Sequence, residues 1–300
     1  MSELLLAGAS GLIGSKLIIK LKQKNIKYVL LSTQKKLNGQ NNTLYWNPES
    51  NEFPDIDLKR FDACINFCGA GIFDKAFTDG RKEILLKSRV VPIQFLKSQF
   101  EKQNVTLPNF ISASGTGFYP NICLNELDED STSGDGYIAQ LVQNWENASL
   151  SFKPVAERVS IMRIGIVLAK SGGFLAQLST PIKFFIGAVP GSGKQMISWV
   201  HIDDLCEAYI HLYVHQLEGI YNGVAPEPAN LTTISKQTAK ALKRPLFLPN
   251  IPAFVLRLIF GKGRSELLLT DQRVSSKKLE SSGFIFQFTN SEQAIYNLIN

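Results

Sequence analysis

The sequence lacks any apolar run long enough to cross a bilayer. Its longest, 251–260, is interrupted by Arg257 and falls far short of the ~20 residues a spanning helix needs, so no membrane role is implied. Strand-like apolar residues begin at Leu4. That leaves no room ahead of the fold for a basic segment, an apolar segment and a cleavage site, and the expected location is the cytoplasm. Cysteine is scarce. Cys64, Cys68, Cys123 and Cys206 form no Cys-x-x-Cys pair, which argues against a redox or metal role and suits small buried side chains in a reduced cell. Of three histidines, His211 and His215 stand one helical turn apart, but the Glu of a His-Glu-x-x-His zinc site is missing and no metal is expected. No internal repeat, coiled coil or low-complexity tract is present. The net charge is +6, yet the lysines are scattered among acids and not gathered with aromatics into a stripe, so a solvated surface and no nucleic-acid partner are expected.

With 44% hydrophobic and 19% charged residues in 300, the chain can bury the core of an ordinary globular enzyme. Short apolar runs at 4–7, 28–31, 63–67, 110–113 and 159–167 alternate with helical patterns. This β-α-β alternation predicts an α/β fold, a doubly wound parallel sheet with helices on both faces. After Ala169 the pattern turns to Gly/Pro-rich loops, with Pro181, Gly187, Pro190, Gly191 and Gly193 close together, a composition that shapes a cleft better than a sheet. A helix near Asp203 and a strand around 220–222 read as a return to the sheet. The expected organisation is a dinucleotide-binding domain over 1–168 with a return segment at about 197–225, and a smaller substrate domain with a C-terminal cap over 169–196 and 226–300. In the cap, Leu246, Phe247, Phe254, Leu256 and Ile259 are too many apolar side chains to leave exposed, so burial against the first domain or a second subunit is expected.

Gly8-Ala9-Ser10-Gly11-Leu12-Ile13-Gly14 follows the first strand directly and opens an amphipathic helix. A glycine-rich strand-to-helix turn lets backbone N–H groups approach a pyrophosphate at the positive end of the helix, and Gly14 lets that helix lie close to the sheet. The cofactor-binding candidates here are Gly8, Ser10, Gly11, Leu12, Ile13 and Gly14. Where NAD-binding folds carry an acid for the ribose hydroxyls, the second strand ends Leu31-Ser32-Thr33-Gln34-Lys35-Lys36, with no acid and two cations. Ser32, Thr33 and Lys35 therefore join the candidates. Lys35 and Lys36 can pair with a 2′-phosphate, which favours NADP(H) over NAD(H); the plainer reading is a pair of solvated loop lysines. Gly193-Lys194 fails as a nucleoside-triphosphate loop, since Ala188 replaces its first glycine and Gln195 its Ser/Thr.

The spacing Gly-x-x-Gly-x-x-Gly resembles the extended short-chain dehydrogenase/reductases. Asn66-Phe67-Cys68-Gly69-Ala70-Gly71 is similar to that superfamily's loop after the fourth strand, which adds Cys68, Gly69 and Ala70 to the cofactor-binding candidates. Arg81-Lys82, Ser88-Arg89-Val90, Ser112-Ala113-Ser114, Gly191-Ser192-Gly193-Lys194-Gln195, Trp199-Val200-His201-Ile202-Asp203-Asp204 and the segments from Arg244 to Phe284 are similar to one branch, the nucleoside-diphosphate-sugar epimerase-like proteins with a C-terminal cap. The resemblance runs over essentially the whole chain. It implies a Rossmann fold of the extended type, a small polar substrate, nucleotide-linked in many members, and a monomer or homodimer.

The superfamily pairs a Ser or Thr after the fifth strand with Tyr-x-x-x-Lys on the next helix. The resemblance therefore assigns Ser114, with Thr116 nearby, and Tyr137 as catalytic candidates. The second motif departs from the pattern, because Tyr137-Ile138-Ala139-Gln140-Leu141 places leucine where the lysine belongs. A free phenol titrates near pH ~10, so ionising it at neutral pH costs roughly 4 kcal/mol at ~1.36 kcal/mol per unit. Without the lysine, Tyr137 is a poor general base but remains able to donate a proton, which favours carbonyl reduction over alcohol oxidation. Packing competes with this role, since Tyr137, Leu141, Val142, Trp145 and Ala148 form one helical stripe. Arg81 or Arg89 can meet an anionic part of the substrate, or lie on a solvated face. The expected activity is that of an NADP(H)-binding oxidoreductase or epimerase-like enzyme; the alternative is a catalytically degenerate NADP(H)-binding regulator or redox sensor.

Overall fold

Alternation along the first strand decides the layers. A computed structural model describes residues 3–300, with the side chains of 123, 124 and 262 outside the described set; the expectation that Cys123 is buried falls there. In β1 (Glu3–Ala7) Leu4 and Leu6 face one apolar cluster while Leu5 and Ala7 face the other, as a period of two requires. The chain then runs through α1 (Leu12–Gln23), β2 (Lys27–Ser32), β3 (Thr43–Tyr45), β4 (Ala63–Asn66), α2 (Asp79–Lys102), β5 (Leu107–Gly115), β6 (Ile122–Leu127), α3 (Tyr137–Leu150) and β7 (Ala156–Ile164). Leu17 and Leu21 on α1 are fully buried with Leu4 and Leu6, each such side chain contributing about 2 kcal/mol. On the other face α2 places Ile93, Leu96 and Phe100 against Leu5, Leu107 and Phe110.

The sheet is parallel throughout, with a later strand, β11 (Gly219–Gly223), at its edge, and is ordered β11-β7-β5-β4-β1-β2-β3, so the expected doubly wound Rossmann architecture is observed. The order reverses at β1, between β2 and β4, and a crevice outside the carboxyl ends of these strands is where such sheets take ligands. The apolar run at 159–167 is not one strand. An added Cβ at Gly165 would lie 2.4 Å from the Ser198 carbonyl oxygen. Only glycine fits that approach, and the chain breaks there into β7 and β8 (Ile166–Leu168).

After β8 come α4 (Gly173–Lys183), β9 (Met196–Ile197), β10 (Trp199–His201), α5 (Ile202–Val214) and β11 (Gly219–Gly223). Strand β10 pairs with β8, while β11 returns to the edge of the main sheet beside β7. The chain finishes with β12 (Ala229–Asn230), α6 (Leu231–Ala241), α7 (Ala253–Leu268), β13 (Asp271–Val274), α8 (Lys277–Ser281) and α9 (Ser291–Ile299). Strand β13 pairs with β6, and Leu279, Phe284, Phe286, Phe288 and Ile295 join the cluster that contains Leu4 and Leu17. Of the five apolar cap residues singled out in the sequence, Leu256 alone is fully buried and Leu246 is half-buried, whereas Phe247, Phe254 and Ile259 stand exposed. Burial within this chain therefore accounts for part of that apolar set. Among the described residues no helix is long and apolar enough to cross a membrane.

The start of α5 is built by His201 and Asp204. His201 Nδ1 accepts the Asp203 N–H at 3.0 Å, capping the helix, and its fully buried ring stacks on Phe288 at 3.9 Å. The Asp204 carboxylate accepts the backbone N–H groups of Gln287 and Phe288, each at 2.9 Å. Burial pushes the His201 imidazole down to about 4, below the ~6.5 of an exposed histidine. The unfolded chain therefore binds the extra proton first. Stability is full above about pH 6.5 and falls by about 3 kcal/mol as pH drops to about 4. Urea titrations across that window are expected to show this fall, and His201→Asn, which can still cap, to remove most of it; an unchanged pH slope in the variant would assign the fall to other groups.

Candidate functional site

The turn from β1 into α1 is held by two contacts that admit no side chain. A Cβ on Gly8, whose φ is +70°, would lie 2.5 Å from the Cys68 backbone nitrogen, and one on Gly14 would lie 2.3 Å from the Ala9 Cα. These fix the loop against the end of β4 and α1 against β1. Gly11, by contrast, faces open space. It is the N-cap of α1, with no side-chain cap and no acid in the first turn, so no side chain of the turn occupies the positive end of the helix, where an anion is favoured. Ser10 and Gly11 are exposed, Leu12 and Ile13 half-buried, and Gly14 buried. Leu12 also meets the Gly172-Gly173 turn, both glycines at positive φ, at the acid-free start of α4. That turn went unremarked in the sequence, although its paired glycines were the available signal.

At the end of β2, Ser32 Oγ accepts the Gln34 N–H at 3.2 Å, and Thr33, Lys35 and Lys36 are exposed. Lys35 is already engaged: its ammonium lies 3.5 Å from Glu52 and 4.9 Å from the Tyr45 ring centroid. Glu52 is an acid that the fold brings beside β2 from 20 residues downstream, beyond the strand end where a ribose-binding acid is sought.

The loop after β4 carries Cys68, Gly69 and Ala70. Cys68 N–H donates to Asn66 Oδ1 at 3.2 Å and Ala70 N–H to Ser88 Oγ at 3.0 Å, and burial pushes the Cys68 thiol up to about 12. Beneath the loop lies Arg89, only 5% exposed. It donates to the carbonyls of Ala70 and Leu85 at 3.1 and 3.0 Å, packs against Gly69, and sits 4.8 Å from the Trp145 ring. Burial pushes its guanidinium down to about 10. Arg81 donates to the Gly71 carbonyl and faces Asp74 at 3.7 Å. The Nε atoms of Arg81 and Arg89 are both buried and unpartnered.

These two cations flank Tyr137, the first residue of α3. Its phenol donates to the Lys82 carbonyl at 3.1 Å and its ring contacts Phe77 edge-on at 5.6 Å. Burial raises the Tyr137 pKa, and the charges of Arg89 and Arg81 oppose that rise. Leu141, one turn on, is 2% exposed and packed. Tyr137 lines a cavity of about 380 Å³ with Phe77, Tyr119, Gly263, Glu266 and Leu267, between the sheet domain and the second half of α7. A wider depression of about 670 Å³ lies at the opposite ends of the strands, lined by Lys27, Asp62 and Pro108, away from all of these groups.

Ser114 is buried at the end of β5 and donates to Glu146 Oε1 at 2.7 Å. Glu146 is in turn gripped by Arg163, Nε to Oε1 at 2.8 Å and Nη2 to Oε2 at 2.9 Å. Arg163 Nη1 donates to the Tyr119 hydroxyl at 3.0 Å, and that hydroxyl to Asn222 Oδ1 at 2.7 Å. Ser114 and Tyr137 thus have separate partners. Glu146 lies nine residues beyond Tyr137 on α3, about 13 Å along the helix axis at ~1.5 Å per residue. Glu146 and Arg163 were missed in the sequence; the signal was that Glu146 is the only charged residue of α3 and Arg163 the only one in the apolar run 159–167.

A family model described as a domain of unknown function (DUF1731) matches residues 251–298. An epimerase family protein of Mycobacterium leprae is 32% identical over 97% of this chain and 93% of its own length. The human epimerase family protein SDR39U1 (isoform 2), solved with NADPH, superposes with a TM-score of 0.87 at 26% identity, covering 99% of both chains. The chain belongs to the epimerase family of the extended short-chain dehydrogenase/reductases. A nucleoside-diphosphate sugar epimerase from Corynebacterium glutamicum gives a TM-score of 0.80 at 28% identity, over 99% of this chain and 58% of that one. Several segments that carry this epimerase-family resemblance are braces in the fold. His201 and Asp204 hold α5 and the C-terminal strap, and Trp199 Nε1 donates to the Glu227 carbonyl at 2.9 Å. The Gly191–Gln195 turn ties the cap through bonds from Gln195 to the Pro190 and Leu268 carbonyls.

Proposed function

We propose that the protein is an NADP(H)-dependent oxidoreductase of epimerase type, acting on a small polar substrate in the cavity between Tyr137 and α7. The observation that carries this is the open, uncapped and acid-free N-terminus of α1 at Gly11, set where the strand order reverses. Gly8, Gly11 and Gly14 suit a pyrophosphate, the 68–70 loop suits the neighbouring ribose, and the human relative was solved with NADPH. When bound, the nicotinamide gives or takes a hydride; orientation and proton handling fall to the chain.

Tyr137 is the proton donor. Its pKa is raised by burial and restrained by Arg89 and Arg81, so the phenol is neutral at physiological pH and protonates a carbonyl oxygen once it releases Lys82. Arg89, reaching across from α2 onto the Trp145 end of the stripe, supplies the positive field that Leu141 cannot. Ser114 donates its hydroxyl hydrogen to Glu146 and keeps its oxygen lone pairs to accept from a substrate hydroxyl. The test is a screen of aldehydes, ketones and nucleotide sugars, followed by NADPH absorbance. Substrate-dependent NADPH loss supports the reading; binding of NADPH with no turnover on any class refutes the enzymatic part of it.

That second outcome is what a redox sensor would give, and one observation favours it. The hydroxyls of Ser114 and Tyr137 are each held by a protein group, and Leu141 is packed rather than facing the cavity.

The cofactor preference has its own test. Glu52 competes with a 2′-phosphate for Lys35, so Glu52→Gln is expected to tighten NADPH several-fold and leave NADH unchanged. Lys35→Ala with Lys36→Ala should narrow the gap between the two cofactors about tenfold, read by calorimetric titration. If neither variant changes the ratio, these lysines are solvated surface groups.

A further inference from the structure

Segments 169–196 and 228–265 carry ten Lys and Arg residues and not one Asp or Glu, while the remainder of the chain sets 22 bases against all 26 acids. The scatter of lysines among acids that describes the chain as a whole fails here. The same segments hold the exposed apolar residues. Phe184, Phe185 and Ile186 project beyond α4, Phe247 follows α6, and Phe254 and Leu258 share one face of α7, with exposures of 69% and 85% for the last two. The stretches are tied together. Gly191 N–H donates to the Ile251 carbonyl and Ile251 N–H to the Val189 carbonyl, each at 2.9 Å, and the Arg244 guanidinium lies 4.9 Å from the Phe185 ring. Lys183, Lys243 and Arg257 stand exposed among these side chains and enter no ion pair among the described residues. Gly261, at φ +75° and ψ 165°, breaks α7. Its first two turns therefore carry this face while its second half lines the cavity beside Tyr137.

We propose that this face docks on an anionic membrane surface, its aromatic and aliphatic side chains entering the headgroup region and its lysines and arginines meeting lipid phosphates. An exposed apolar set of this size marks an interaction site. A short helix with an apolar face and flanking cations lies in the plane of a bilayer without spanning it, so the shortness of the 251–260 run is no obstacle. Aromatics favour the interfacial depth, long basic side chains reach outward from it, and an anionic leaflet attracts each added cation. A second copy of the chain is a poor occupant. A two-fold contact would set the same unpaired cations against each other, with no acid in these segments to meet them.

Co-flotation of the full-length protein with vesicles tests this. Binding is expected to phosphatidylcholine vesicles containing 30% phosphatidylglycerol, at least tenfold more tightly than to phosphatidylcholine alone, and to weaken at least tenfold between low and high salt. Phe254→Ser with Leu258→Ser should lose binding, as should Lys243→Glu with Arg257→Glu. These positions are exposed, so folding and NADPH affinity should stay unchanged in both variants. Equal binding by either variant would overturn the proposal. So would capture by a single-stranded oligonucleotide without vesicle binding, or a concentration-dependent dimer that the Phe254/Leu258 variant abolishes.

Discussion

Glu146→Ala is expected to destabilise the protein by about 3–5 kcal/mol, the range for stranding one partner of a buried ion pair. Arg163 is 2% exposed, and its other contacts are a hydroxyl, a carbonyl and the face of Phe118, none of which carries the negative charge that Glu146 provides. Since native domains retain only about 5–15 kcal/mol, such a loss should appear as a large fall in urea midpoint. Replacing both partners, Glu146→Leu with Arg163→Met, should recover most of it, because a well-packed apolar pair removes the stranded charge. A single-variant cost under about 1 kcal/mol would mean that the pair is hydrated rather than buried. A second substitution at this position separates two roles for Ser114. If its proton is held only by Glu146, Glu146→Gln should alter turnover through Ser114 while leaving NADPH binding intact.

Tyr137→Phe is expected to reduce turnover by about 10²–10⁴-fold, the typical loss on removing a general acid, with cofactor affinity nearly unchanged. The replacement keeps the ring against Phe77 and removes only the hydroxyl that now donates to Lys82, so stability should change little. Arg89→Met should act on the same phenol from a distance. Arg89 lowers the Tyr137 pKa against the larger effect of burial, so its loss should move the onset of alcohol oxidation to higher pH while carbonyl reduction at neutral pH persists. Turnover that survives Tyr137→Phe would show that the proton comes from elsewhere.

The sheet was legible in the sequence because its strands are short apolar runs whose period and spacing admit little else. The glycine loop was legible because Gly8 and Gly14 stand where backbone meets backbone. Three features were not. The break at Gly165 depends on the Ser198 carbonyl, a contact set by β10, more than thirty residues downstream. Glu52 reaches Lys35 only through the return of the chain after β3. Glu146 and Arg163 read as stray charges until α3 and β7 are packed together, after which each is the other's reason for being buried. The catalytic candidates stand between these cases. Ser114 and Tyr137 occupy the expected strand end and helix start, but their hydrogen-bond partners, and the positive field from Arg89 in place of a lysine at 141, are properties of packing.

Calorimetric titration of the purified chain with NADPH and with NADH tests the cofactor cleft most directly. An open helix N-terminus at Gly11 with Lys35 and Lys36 at the end of β2 requires one NADPH per chain, bound at least tenfold more tightly than NADH. Equal affinity for the two cofactors, or no binding of either, would contradict it.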